Sequence, residues 1–190
     1  MPTWSIVGGK LTTCRSLAEE SVQKIFAELE VPVVDAARQR VLPGCLEESD
    51  REECFCQTRE FAMKTGVPEA SVDSVVQWTV GLFGARAPAV FETMKQCPQA
   101  TELPPLIGDS GLPTAAAVFV IEKEWAVSLG DLIERRLMVV FDPRLSLATL
   151  QDLADVLVAM GHLQRSDRES AITKEITHLQ EYYGKEIVSQ

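Results

Sequence analysis

The sequence predicts an all-α protein, a multi-helix orthogonal bundle entered through one short N-terminal strand. Apolar residues recur at spacings of three and four in segment after segment, which lays a single stripe along each helix. Capping residues, Pro and Gly separate these segments. The exception comes first: Ser5-Ile6-Val7-Gly8-Gly9-Lys10-Leu11-Thr12-Thr13-Cys14-Arg15 reads as a strand, a Gly-Gly turn and a helix start. Adjacent glycines let a backbone turn tightly and approach a ligand closely, because no Cβ intervenes. The helix start that follows offers free N–H groups and partial positive charge to an anionic ligand atom.

In the first helix, Thr12 to Glu30, Ala18, Val22, Ile25 and Leu29 form one stripe expected to face a core. Thr12 or Thr13 caps its start, and Pro32 stops it. Val33 to Leu46 is a connector that turns at Pro43-Gly44. Ser49-x-x-Glu52 has the form of a capping box, opening a helix that ends near Lys64 with Gly66 as its left-handed cap. Pro68 begins a helix carrying Val72, Val75, Val76 and Leu82, and a short helix follows between Pro88 and Cys97-Pro98. Leu103 to Thr114, rich in Pro and Gly, is a loop.

Ala115 to Ala126 is strongly apolar. Val118-Phe119-Val120-Ile121 also suits a buried strand, but Ala115-Ala116-Ala117 before it and Glu122-Lys123-Glu124 after it favour the bundle's central helix. Ser128-x-x-Asp131 opens a helix reaching Arg136. Leu147, Leu150, Ala154 and Leu157 mark the next, ended by Gly161. Ile172, Ile176, Leu179 and Tyr183 mark the last.

The net charge of −10 argues against nucleic acid, which needs clustered Lys and Arg. It equally disfavours a polybasic membrane contact. With 46% hydrophobic and 24% charged residues the chain can bury an ordinary core. Five unevenly spaced cysteines, Cys14, Cys45, Cys54, Cys56 and Cys97, fit reduced thiols and a cytoplasmic location. Cys54-x-Cys56 has no second pair or nearby His to complete a tetrahedral site, so structural thiols are expected rather than a metal site.

Four blocks in order resemble a known family. Gly8-Gly9-Lys10-Leu11-Thr12-Thr13-x-Arg15 is similar to the segment closing the FAD domain of FAD-dependent glycerol-3-phosphate dehydrogenases and α-glycerophosphate oxidases. Val41-Leu42-Pro43-Gly44 with Asp50-Arg51-Glu52 looks like that family's linker into a C-terminal helical domain. Trp78 to Gly84 resembles its aromatic helix end. Glu122-x-Glu124-Trp125-Ala126 and Leu129-x-Asp131-Leu132-x-x-Arg135-Arg136 resemble its late signature. Cys14 departs from the pattern, where the family commonly has tyrosine.

The resemblance implies that residues 1–30 end an FAD-binding domain, that 31–48 link, and that 49–190 form the helical C-terminal domain. The Ser5–Val7 strand is then the remnant of a missing FAD domain. The implied parent oxidises sn-glycerol 3-phosphate to dihydroxyacetone phosphate and passes electrons to quinone, or to oxygen in an oxidase. FAD is its cofactor, the missing FAD domain is this chain's partner, and a homodimer and peripheral contact with the inner membrane are compatible with it. Lys10 is the implied catalytic residue, and Gly8, Gly9, Lys10, Leu11 and Thr12 the implied cofactor-binding set. Donors and a cation there would stabilise charge near N1 and O2 of reduced flavin. No G-x-G-x-x-G is present, so this chain alone is expected to be inactive and not to retain FAD.

The competing reading is a free-standing helical interaction module without catalysis. His162 and His178 lack nucleophile partners at a recognisable spacing and are expected to be solvent-exposed. Arg135-Arg136 with Asp131 and Glu122 could form an anion pocket, but Asp131 and Arg135, four apart, are the spacing of an intrahelical ion pair, which is the stronger expectation.

Overall fold

The computed structural model describes residue 5, residues 11–32 and residues 41–187. The chain divides into two compact units, Met1–Leu42 and Pro43–Gln190. Apart from Ser5, the expected N-terminal strand and the Gly8-Gly9-Lys10 turn lie outside the described residues.

In the first unit a 3-10 turn, Leu11–Thr13, leads into α1, Cys14–Glu28, with Thr13 at the N-cap position. The helix closes before Pro32 through Glu30 at φ 54°, Glu30 N–H donating to Ala27 O and Val31 N–H to Phe26 O. This pair of reversed bonds satisfies carbonyls that the last turn would leave open. The apolar stripe is present but is not covered as expected: α1 has no buried residue, and Val22, Ile25 and Leu29 are exposed. A helix of this length derives most of its stability from packing its apolar face.

The second unit is an all-α bundle of six helices: α2 (Arg51–Lys64), α3 (Glu69–Phe83), α4 (Ala87–Met94), α5 (Thr114–Glu124), α6 (Leu147–Ala159) and α7 (Arg168–Tyr183). α2 packs on α3 and α4, α4 on α5, α5 on α6, and α6 on α7. Eight consecutive residues of α5, Thr114 to Ile121, are buried, which makes it the central helix that the sequence predicts. Val72, Val75, Val76, Val80 and Phe83 bury the inner face of α3, while Leu82, expected on that face, is exposed.

Three local expectations are revised. The Ser49–Glu52 capping box does not form: α2 is entered through a 3-10 turn at Glu48–Asp50, and the Ser49 hydroxyl donates to Asp50 instead. The Leu103–Thr114 loop contains a short antiparallel hairpin, β1 (Leu106–Ile107) and β2 (Leu112–Pro113), paired Leu106 to Pro113 and Ile107 to Leu112. It is tied to α6 by the Gly108 N–H, which donates to Asp152 Oδ2 at 2.6 Å. The segment Asp131–Arg136 winds as a π-helix, Leu137 N–H reaching Leu132 O at 3.0 Å. Its start is the expected one, at Ser128 and Asp131. Asp131 Oδ2 accepts from Ser128 N–H, and Ser128 Oγ accepts from Asp131 N–H. No described helix is long and apolar enough to cross a membrane.

Trp125 ends α5 in the left-handed region at φ 57° and is 88% exposed. A bulky L-residue is disfavoured there because its Cβ crowds the following carbonyl. Trp125→Gly is expected to stabilise the fold by about 1 kcal/mol, read as a higher urea midpoint with an unchanged denaturant slope. A lower midpoint would mean that the indole contributes packing outweighing the backbone cost.

Candidate functional site

Three of the sequence blocks that resemble the flavoenzyme family meet in the second unit. Pro43-Gly44, the end of α3 and the residues following α5 line one cleft of about 330 Å³. Gly44 (φ 85°) and Gly84 (φ 56°) bring two backbones into contact, and the Ala85 N–H donates to Gly44 O at 3.1 Å. A Cβ on Gly84 would stand 1.8 Å from Gly44 O, and one on Gly44 would stand 2.9 Å from Phe83 O. Only glycine fits both the space and the dihedral. From α2, the Cys54 thiol donates to Gly84 O at 3.6 Å. Burial pushes that thiol above its ordinary range, consistent with a structural role.

Glu124, the last residue of α5, is the hub of the cleft. Its Oε1 accepts from Arg86 Nη1 at 2.8 Å, and its Oε2 lies 3.5 Å from Arg136 Nη1. The Arg86 guanidinium also lies over the Phe119 ring, 4.8 Å from its centroid, and Phe119 in turn meets Phe83 edge to face at 5.4 Å. Arg135 pairs back to Asp131, the predicted intrahelical ion pair. Burial raises the Asp131 carboxyl, but the Ser128 hydroxyl, the Val127 N–H and Arg135 outweigh it, leaving the group below its ordinary value. Glu122, considered beside these arginines from the sequence, is exposed and apart from the cleft.

A second cluster joins α7 to the π-turn. Glu134 accepts from Tyr183 Oη at 2.7 Å and lies 3.0 Å from His178 Nε2. His178 is therefore half-buried, paired and stacked on Tyr182 at 4.5 Å rather than simply exposed, whereas His162 is exposed as expected. Beside them Glu175 is buried, and its Oε1 has no hydrogen-bond partner among the described residues. Burial, then the Glu134 charge, raises the Glu175 carboxyl. The α7 periodicity could not reveal this, because a glutamate three positions from Ile172 reads as polar punctuation of a stripe. Glu134, Glu175 and His178 line a cleft of about 380 Å³ that also includes His162.

Of the residues proposed from the sequence, Gly8, Gly9 and Lys10 lie outside the described residues. Leu11 and Thr12 belong to the 3-10 turn before α1, with Thr12 exposed.

Two measurements test this geometry. Gly84→Ala is expected to cost about 3 kcal/mol or more, since both dihedral and contact oppose it. Gly66→Ala, also at positive φ but with open space around its Cβ position, should cost only about 1 kcal/mol. Equal losses in urea unfolding would remove the case for the Gly44–Gly84 contact. For Glu175, a raised folded value means that the proton is held more tightly in the native state. Its stabilising contribution is complete below the ordinary carboxylate range and is lost as pH rises through the raised value. Glu175→Gln should therefore raise Tm at about pH 7 and leave it nearly unchanged at about pH 4. A uniform shift at both values would show that the carboxyl does not titrate abnormally.

Compared with known proteins, the chain matches no protein-family model, and no curated protein sequence matches it.

Proposed function

We propose that this chain is the C-terminal helical part of an FAD-dependent oxidoreductase that oxidises sn-glycerol 3-phosphate to dihydroxyacetone phosphate. Electrons pass through the flavin to quinone. The observation that carries the reading is the convergence of Pro43-Gly44, Gly81 to Gly84, and Glu124 with Arg135-Arg136 on one cleft. These blocks suggest the family by their order in the sequence. Their joining through the Gly44–Gly84 contact and the Glu124 hub gives that order a common structural cause.

The exposed stripe of α1 adds support, because Val22, Ile25 and Leu29 need an apolar cover to make the helix stable. An FAD domain packed on this face would supply it. In that assembly Lys10 sits beside the flavin and substrate, where its ammonium and the following helix start stabilise negative charge as hydride reaches N5. Gly8, Gly9, Leu11 and Thr12 form the rest of the turn against the cofactor. The general base and the dinucleotide-gripping loop belong to the FAD domain, so this chain alone has no dehydrogenase activity.

An immunoblot of the expressing cells, with an antibody to residues 43–190, is the first test. A product several hundred residues longer supports the flavoenzyme. A product at 20.9 kDa supports the free-standing interaction module instead. In the longer product, Lys10→Ala should lower kcat by about a hundredfold, while His162→Ala changes it by less than about twofold. Equal effects would overturn the assignment of Lys10.

A further inference from the structure

We infer that the cleft formed by Gly81, Arg86, Glu124, Arg135 and Arg136 binds a phosphate group, as inorganic phosphate or as the phosphate of a small phosphomonoester. In a chain of net charge −10, this cleft is lined by three guanidiniums and one carboxylate. Glu124 accepts from Nη1 of Arg86 and lies 3.5 Å from Nη1 of Arg136. The remaining N–H groups of both have no protein partner among the described residues. Each guanidinium carries five donors in a planar fork, so each retains donors able to meet two oxygens at once. Both side chains are partly open, at 36% and 43% exposure, so a ligand can reach them.

The forks are also held in place. Glu124, only 18% exposed, ties Arg86 to Arg136, and the Phe119 ring fixes the plane of Arg86 from beneath. Glu124 is thus a positioning residue, setting two cations side by side that would otherwise repel. Gly81 is exposed, lines the cleft and adds no side chain to it, and nothing lies within 4 Å of its Cβ position. A carboxylate ligand presents two oxygens in one plane and satisfies one fork. The tetrahedral oxygens of phosphate can serve more than one guanidinium at once, and this favours phosphate as the occupant. The site lies within the second unit and needs no flavin, so it stands or falls separately from the flavoenzyme reading.

The test is a titration of the 190-residue chain with inorganic phosphate, followed by calorimetry and by arginine side-chain NMR signals. Saturable binding with Kd of about 1 mM or tighter is expected. Gly81→Glu places a carboxylate in open space at a helical position and should weaken binding by about tenfold or more with the fold intact. Arg86→Gln and Arg136→Gln should weaken it similarly, and Arg135→Gln less, because Asp131 already engages that side chain. Glycerol 3-phosphate bound as tightly as inorganic phosphate means that the phosphate group alone is recognised. Tighter binding of the ester means that a phosphomonoester is the natural occupant. Non-saturable shifts, equal affinity for acetate, or unchanged binding in Gly81→Glu would overturn the site.

Discussion

A helix buried on every side leaves the rest of a small domain little choice. Between Thr114 and Ile121 no residue of α5 offers a polar face, so protein must surround it completely. α4 and α6 flank it directly, and the remaining helices pack outward from those two. The ends of α5 then become the places where polar groups can surface. At its N-terminus the Thr114 N–H and hydroxyl donate to the carbonyls of Pro105 and Pro104, which anchors the hairpin loop. At its C-terminus Glu124 emerges beside two arginines from other parts of the chain.

That emergence explains why the candidate site lies where it does. A carboxylate leaving a dry core at the end of a helix needs cations, and Arg86 and Arg136 provide them from the segments bordering α4 and ending the π-turn. The wider π-turn matters here. Successive residues on it diverge, so Arg135 returns to Asp131 while Arg136 reaches Glu124. Local irregularity of this kind is common at functional sites. Trp125, forced into the left-handed region immediately after Glu124, lies between that ion-pair hub and the buried Ala126. Backbone cost there is the consequence of fixing both neighbours.

The Glu134 cluster shows the same physics with less compensation. Tyr183 and His178 satisfy Glu134, and the docking of α7 carries Glu175 in beside it with its Oε1 unpartnered among the described residues. Ionising two neighbouring carboxyls in a poorly solvated place is unfavourable, so one of them holds its proton more tightly. The clamp of α7 on α6 is better resolved. Arg168 forms a forked pair with Asp155, which raises the guanidinium further above neutrality.

The sequence by itself determined the all-α class, the positions of α2 to α7, the Gly66 and Gly161 stops, the Ser128–Asp131 cap and the Asp131–Arg135 pair. The glycine stops rest on one residue's freedom to take positive φ, and the others on spacings of three or four residues, within the reach of local hydrogen bonds and one helical turn. The failed Ser49 box shows the limit of such signals, since a 3-10 entry competes with capping at small energetic difference. Only the tertiary structure decided that Gly84 faces Gly44, forty residues earlier, that Arg86 and Arg136 share Glu124, and that Glu175 is buried beside Glu134. Each depends on where a helix lands against a distant one, and a lone Arg, Gly or Glu reads identically in a sequence whether solvent or another backbone lies opposite it.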